Sequence, residues 1–448
     1  MATGSQNSST RGQDEAGGFR LPEGLGVTLL GLALVYGGHY FYGGLTANSA
    51  LTLCLAACLV LLGLLAHPGL RRDFGKILGL GPLSVLFAAT LVFGLISLTP
   101  FGPGGPSPVW AYTGVHPGVT TINKTATILE LIKLLGLGAM FLIGGISGVS
   151  DNRARTAISG FVIAGGLFGL WAFLLHVSGG TGHGGPRLEA HFLAPNTAGG
   201  FFAVLALMAL GPITATLRTG RRNRWSELTP YAVALAIALI CLLMTGSRGG
   251  AISAAAGFGA YILLLFFAGR IRFTRALVYS VLAGLFVVAA ILVAGDLLIN
   301  RALEGSATSD ARARMGEIHW HAFLAAPWMG YGLGTFDAIN RSVITATSFT
   351  DLWSIRAVHN VYLQWLEEAG VLGAGPIFLA IGLALATAFR RTLNRTRMTS
   401  LLFAAFAAHI VILVHGISDF DLQTYSFAMM WAYLLGLTFS LSQGSSAR

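Results

Sequence analysis

Charge is scarce in this sequence: Asp, Glu, Lys and Arg together make up 10% of 448 residues, against 54% hydrophobic residues. That ratio excludes a water-soluble domain, because a single core cannot hide so much apolar surface. Cysteine is scarcer still. Cys54, Cys58 and Cys241 all sit in apolar runs, which leaves no disulfide framework or Cys-rich metal site and says little about redox compartment. No internal repeat is visible, so an inverted-repeat transporter has no support. The 28 Lys and Arg outnumber the 18 acidic residues, but they lie in short clusters between apolar stretches, not in one patch, which argues against nucleic acid as a partner. Residues 1–22 are polar, rich in Ser and Gly, and lack the apolar core of a signal peptide. They read as a disordered cytoplasmic tail.

What the sequence does have is apolar length. The mean hydropathy is +0.71, and runs long enough to cross a bilayer read as Leu25 to Tyr42, Leu45 to Ala66, Ile77 to Leu98, Thr125 to Ile146, Ala157 to Val177 and Thr197 to Leu217. The second half adds Tyr231 to Met244, Gly250 to Ala268, Ala276 to Leu297, Leu366 to Phe389, Ser400 to His415 and Tyr425 to Leu441. In lipid every backbone polar group must be satisfied within its own segment, and 60 glycines suit closely packed transmembrane helices. The expected fold is all-α: a polytopic bundle of about twelve spans. Helices one to nine occupy 23–298, a long outer loop 299–365, helices ten to twelve 366–441, and a cytoplasmic tail 442–448.

The basic clusters fix the orientation. Arg71, Arg72 and Lys76; Arg153 and Arg155; Arg218, Arg221, Arg222 and Arg224; Arg270, Arg272 and Arg275; and Arg390, Arg391, Arg395 and Arg397 all fall in alternate connections. By the positive-inside rule these are cytoplasmic, which puts both termini inside and the Gly/Pro-rich stretch from Phe101, the loop with Arg187, and the long loop outside. Long ordered loops usually carry function. Within the longest, Asp310 to Ala326 has apolar positions at Met315, Ile318, Ala322 and Phe323 and reads as an amphipathic surface helix ended by Pro327. Gly330, Gly332 and Gly334 then form a turn.

Several residues at the outer ends admit two readings. Ser247 in Thr245 to Gly250 caps the next helix, whose amides and positive dipole end join the guanidinium of Arg248 in a setting suited to phosphate; the alternative is a snorkelling boundary arginine. Arg187 is a second outer cation, just before a helix for which Asn196 is the expected N-cap. His359-Asn360 precedes a helix with Tyr362 and Trp365, as a helix cap with interfacial anchors or as chemistry. Glu130 and Lys133 read as a self-neutralising pair, and His415, Asp419 and Asp421 as a capped turn or an acceptor site.

Taken in order, Thr245 to Gly250, Arg187 with Pro195-Asn196, the Pro327 to Phe336 turn, and His359-Asn360 followed by Glu367 and Gly370 resemble the bacterial O-antigen ligase and Wzy-type polymerase superfamily over roughly Arg187 to Asp421. The resemblance implies a metal-independent, inverting, GT-C-like glycosyltransferase without cofactor in the bacterial inner membrane. It would take a glycan from an undecaprenyl diphosphate carrier at the periplasmic face. Its site residues would be Arg187 and Arg248 on the donor diphosphate, with Arg312 and Arg314 as further phosphate contacts, and His359 orienting or deprotonating the acceptor. Asn360, Glu367, His415 and Asp419 would stand in acceptor or supporting roles. The partners implied are the lipid-linked glycan, an acceptor glycan or lipid A core, membrane lipids and a chain-length regulator. The stretch His415 to Gln423 is more similar to members that polymerise polysaccharide than to ligases, so polymerisation is favoured over ligation. A flippase is disfavoured because the unusual charges gather at one face instead of lining a path.

Overall fold

The structure is a computed structural model that describes residues 24–77, 81–180, 187–218, 224–272, 274 and 311–444. The described residues form helices and connections, with no strand among them. They are α1 (Leu25–Tyr40), α2 (Ala47–Ala66), α3 (Pro68–Ile77), α4 (Gly81–Ser97), α5 (Val109–Tyr112), α6 (Lys124–Ser147), α7 (Asp151–Val177), α8 (Pro195–Arg218), α9 (Arg224–Met244) and α10 (Arg248–Phe267). Then follow α11 (311–325), α12 (Phe336–Val343), α13 (Phe349–Leu352), α14 (Val361–Leu393), α15 (Thr399–His415) and α16 (Tyr425–Gln443). Every apolar run read from the sequence is one of these helices except Ala276 to Leu297, which lies outside the described residues, as do the 1–22 tail and residues 445–448.

Seven of the helices, α2, α6 to α10 and α14, are long and apolar enough to cross a membrane, and α1, α4 and α15 are shorter apolar helices. Large apolar side chains face outward along them, such as Leu55, Leu59 and Leu62 on one stripe of α2, each about 60% exposed. Only lipid is a suitable solvent for such a surface. The protein is therefore a multi-pass helical membrane protein. At its centre α8 packs against α9, α15 and α10, while α6 packs against α16 and α4 against α14. The α6–α16 contact depends on glycine: a Cβ on Gly144 would stand 2.0 Å from the Tyr433 carbonyl oxygen, and one on Gly436 would stand 1.9 Å from that of Phe141. Without a hydrophobic drive between helices in lipid, such backbone-to-backbone approach is what holds them together.

Three elements differ from the expectation. The shortest run, at Tyr231, is the end of a longer helix that starts at Arg224, because the polar turn before Pro230 continues the helix without adding hydropathy. A helix the hydropathy does not reveal, α3, occupies the basic connection after α2. The helix beginning near Leu366 starts instead at Val361 and is broken at Gly370, whose φ is 61° and ψ −177°.

That break is repaired by the outer segment. The carbonyls of Glu367 and Glu368 accept from the amides of Tyr331 (3.1 Å) and Gly332 (2.7 Å), and the amides of Val371 and Leu372 donate to the carbonyls of Pro327 (2.8 Å) and Trp328 (3.1 Å). Backbone groups freed at membrane depth are thus paired by a turn whose Gly330, Gly332 and Gly334 all have positive φ, at 61°, 106° and 73°. Ile122 donates to the Tyr331 carbonyl at 2.8 Å, so the stretch before α6 joins the same layer.

The helices have two chemically distinct ends. At one, Arg153 pairs with Asp73 at 2.5 Å, and Arg395 pairs with Asp151 at 2.6 Å and donates to the Leu441 carbonyl at 2.8 Å. Three basic connections meet there. The ends that carry Arg187, Ser247 and His359 lie at the opposite ends of helices that, at ~1.5 Å per residue, run about 30–50 Å.

Candidate functional site

Four segments meet at that second end. The loop before α8 brings Arg187, whose Nε donates to the Thr245 carbonyl at 2.6 Å and whose guanidinium also donates to Asn196 Oδ1 at 2.8 Å. Asn196 is therefore not the helix cap that the sequence suggests. The helix starts one residue earlier, at Pro195, and leaves the amide side chain free to hold the arginine. At the start of α10, Ser247 is the cap: its Oγ accepts from the Gly250 amide at 3.0 Å. Arg248 follows it, exposed, at the positive end of the helix dipole.

The connection between α15 and α16 supplies the acids. Val361 donates to the Gly416 carbonyl at 2.9 Å, tying the start of α14 to this turn, and Asn360 caps α14 through the Leu363 amide at 3.0 Å. His359, in a left-handed conformation at φ 56°, is turned toward the turn. Its Nδ1 is 3.7 Å from Asp419 Oδ1, a charge contact short of a hydrogen bond, and its ring meets Phe420 edge-on at 4.9 Å. His415 Nδ1 lies 2.5 Å from Asp421 Oδ2.

Glycines let these segments approach. A Cβ on Gly200 would stand 2.2 Å from Asp421 Oδ2, one on Gly249 would stand 3.1 Å from His415 Nε2, and one on Gly199 would stand 2.7 Å from Ser247 Cβ. The helix starts of α8 and α10 are thus pressed against the acidic turn. Gly199-Gly200, just after Asn196, are site residues the sequence analysis passes over; their signal is a Gly-Gly pair at a helix start. Burial alone would push the Asp419 carboxyl up, but neighbouring His359 and His415 and the Phe420 amide hold it below the ordinary carboxylate range. Asp421 goes the other way: burial lifts it, and the His415 charge offsets this only in part.

His415, Asp419 and Asp421 present ligand atoms within 4.8 Å of one another, a donor set a cation could use. Two ligands at ~2.1 Å from one ion in tetrahedral geometry stand about 3.4 Å apart. His415 Nδ1 and Asp421 Oδ2, 2.5 Å apart, stand closer than that.

Other sequence-derived residues fall elsewhere. Glu367, two turns along α14, is fully buried against His319 of α11, 2.7 Å from its Nδ1. Arg314 binds Asp351 at 2.8 Å, pinning α11 to α13, and Arg312 is exposed on α11. Glu130 and Lys133 form their expected pair. On α11 the buried stripe is Met315, His319, Ala322 and Phe323. His319 escapes the sequence reading because a histidine replaces the apolar residue expected at that helical position. Glu368 is also buried, accepting from Gln364 at 3.0 Å and from the Gly334 amide at 2.7 Å.

Residues 233–378 match the family described as O-antigen ligase, Wzy_C. No curated protein matches the chain. The matched stretch runs from α9 into α14 and so includes Thr245 to Gly250, the described outer segment and His359-Asn360, while Arg187 and His415 to Asp421 reach the same site from outside it. The similarity to the O-antigen ligase family, Wzy_C, thus covers residues 233–378, from α9 into α14.

Proposed function

We propose that the protein is a membrane glycosyltransferase that moves a glycan from an undecaprenyl diphosphate carrier to an acceptor hydroxyl at the periplasmic face of the bacterial inner membrane. The observation that carries this is the convergence of Arg187, the Arg248 helix start, His359 and Asp419 at one end of the membrane helices. In this reading the acceptor oxygen attacks the anomeric carbon as its bond to the diphosphate breaks, which inverts the centre. The acceptor proton passes to His359, whose Nδ1 side faces Asp419, and the carrier diphosphate departs with its charge met by Arg187 and Arg248. The guanidiniums take the part a metal would play, so the transfer is metal-independent. About twelve crossings, cytoplasmic termini and a GT-C-like bundle belong to the same reading.

The carrier's lipid supports it further. An apolar cavity of about 510 Å³ lies between α4, α6, α14, α15 and α16, lined by Phe87, Leu137, Trp365, Phe378 and Trp431. Its upper wall includes Val361 and Gly416, next to His359, so a polyprenyl chain in it would carry its diphosphate to the polar cluster. Chain extension, repeat by repeat, is the activity that the His415 to Gln423 stretch favours. Ligation to lipid A core is the second reading, favoured by the description of the matching family.

Deleting the gene and analysing both surface glycan and carrier-linked intermediates tests these readings. Accumulated single repeats on the carrier mean polymerase; accumulated carrier-linked polymer means ligase. Unchanged surface glycan and intermediates would contradict both.

A further inference from the structure

A second cavity, of about 600 Å³, opens where the turn between α1 and α2 meets the loop that carries Arg187. Its walls include Phe41, Tyr42, Thr46, Ser49, Glu189 and His191. The volume is that of a small-molecule site, within the usual ~300–1,000 Å³. Polar groups stand among mostly apolar walls: Thr46, Ser49, Glu189 and His191 lie beside Phe41, Tyr42, Leu45, Leu175 and Leu193. The rings are also fixed. His191 stacks on Tyr42 with centroids 4.9 Å apart and planes 8° apart, meets Trp171 edge-on at 4.7 Å, and has its Nδ1 3.1 Å from the Tyr40 carbonyl. Phe41 and Tyr42 remain more than half exposed, at 62% and 54%.

Interfacial aromatics commonly serve only as headgroup anchors. An anchor needs no unusual backbone, whereas this cavity is built from one. Tyr42, Ala190, His191 and Leu193, with φ of 54°, 48°, 63° and 55°, all line it; the remaining non-glycine residues with positive φ among the described ones are His359 and Met398. A left-handed conformation is unfavourable for a residue with a side chain and persists where its geometry is used. The cavity also adjoins the chemistry. Glu189 is two residues from Arg187, at most ~7 Å along the backbone. Beneath the turn, a Cβ on Gly43 would stand 2.7 Å from Thr424 Cγ2, three residues beyond Asp421.

We infer that this cavity is a glycan subsite that seats a sugar residue of the transferred chain or the acceptor, beyond the sugar that reacts. A pyranose offers an apolar face to the exposed rings and hydroxyl groups to Glu189, while Thr46 and Ser49, bonded to each other in the capping box of α2, form part of the wall. This rests on the glycosyltransferase reading above. It extends that reading by assigning recognition of the glycan to residues outside the reacting cluster.

The test uses purified full-length protein in detergent and, as probe, the repeat-unit oligosaccharide released by mild acid from the host's own surface polysaccharide. Saturation-transfer NMR measures its binding to wild type, Tyr42→Ala, Glu189→Gln and His359→Ala. The same proteins are assayed for transfer from the lipid-linked glycan. Expected are binding by wild type and His359→Ala, at least tenfold weaker binding by Tyr42→Ala and Glu189→Gln, and a raised KM for these two with kcat less affected. A rise in the KM of the lipid-linked donor identifies the donor glycan as the occupant, and a rise in that of the acceptor identifies the acceptor. Because Tyr42 is exposed and Glu189→Gln is isosteric, a folded variant is available in either case. Wild-type binding and kinetics in both variants would overturn the subsite while leaving the transferase reading intact. Displacement of the oligosaccharide by phosphatidylethanolamine vesicles would likewise overturn it, in favour of a headgroup site. Absence of transfer by wild type would instead count against the transferase reading itself.

Discussion

His359 and Asp419, 60 positions apart in the chain, face each other with 3.7 Å between Nδ1 and Oδ1. Two backbone devices create the pair: the left-handed turn at His359 and the hydrogen bond from Val361 to the Gly416 carbonyl. A histidine held beside a buried carboxylate has one nitrogen oriented by the acid and the other available for a proton, which is the requirement for a general base. Replacing His359 by Gln should preserve the fold and lower kcat by about 10²–10⁴-fold, the usual worth of a positioned base. Asp419→Asn should cost less, since it removes the orienting charge and not the base. Single-turnover kinetics on reconstituted protein would check the order; equal loss in both would mean that His359 does not act alone on the proton.

Arg187 is fixed by its bonds to the Thr245 carbonyl and to Asn196. Lysine has the charge but not the planar fork, so Arg187→Lys is not conservative. It should reduce kcat/KM by about 10²–10³-fold, the usual cost of losing one preorganised charge-stabilising donor. Asn196→Ala, which removes one of the bonds that orient the guanidinium, should give a smaller loss seen mainly in the donor KM. Unchanged kinetics in Arg187→Lys would remove it from the diphosphate site.

The two acids of the α15–α16 turn should titrate with opposite signs. The Asp419 pKa is depressed in the folded protein, so its charge contributes stability that is present above the unfolded value, about 3.9, and is lost as pH falls through the lower folded value. The Asp421 pKa is raised, so its ionisation costs stability as pH rises from the unfolded value through the folded one. Thermal unfolding at neutral pH should show Asp419→Asn melting below wild type and Asp421→Asn at or above it. The first difference should shrink as pH falls below about 4. The same sign for both variants would contradict this assignment.

Much of this arrangement is legible in the sequence, and the exceptions share a cause. Hydropathy finds helices because a lipid-exposed span must be apolar along its length, and Ser247 and Asn360 announce helix starts because capping is local. What escapes is non-local. The break at Gly370 reads as an uninterrupted span, since the turn at Pro327 to Gly332 that satisfies it lies some 40 positions away in the chain. His319 and Glu367 look like two unrelated polar residues until α11 packs on α14. Asn196 resembles a cap because its partner, Arg187, lies in a loop without periodicity.

The His319–Glu367 pair should therefore matter to the outer segment and not to the chemistry. Both side chains are fully buried, so Glu367→Ala leaves His319 without its hydrogen-bond partner, at a cost of about 1–3 kcal/mol. Glu367→Gln keeps an acceptor and should cost less. Proteolysis of the 327–335 turn should accelerate in the alanine variant; unchanged proteolysis and melting would show that the pair does not hold the segment.

Glycine positions give a paired test of the stitched layer. A Cβ on Gly332 would stand 1.9 Å from Thr121 Oγ1 at a φ of 106°, whereas one on Gly259 in α10 meets nothing within 4 Å. Gly332→Ala should sharply lower the yield of folded protein by size-exclusion chromatography, while Gly259→Ala should match wild type. Equal yields would contradict the close packing of the turn against the residues before α6.

The central claim is tested most directly by reconstituting the purified protein in liposomes with a single lipid-linked repeat, without lipid A core, and following the products by gel. The account predicts a ladder of chain lengths from wild type, unaffected by EDTA, and its loss in folded His359→Ala and Arg248→Ala. Undiminished product from those folded variants would contradict the site, and a single product formed only when lipid A core is added would replace polymerisation by ligation.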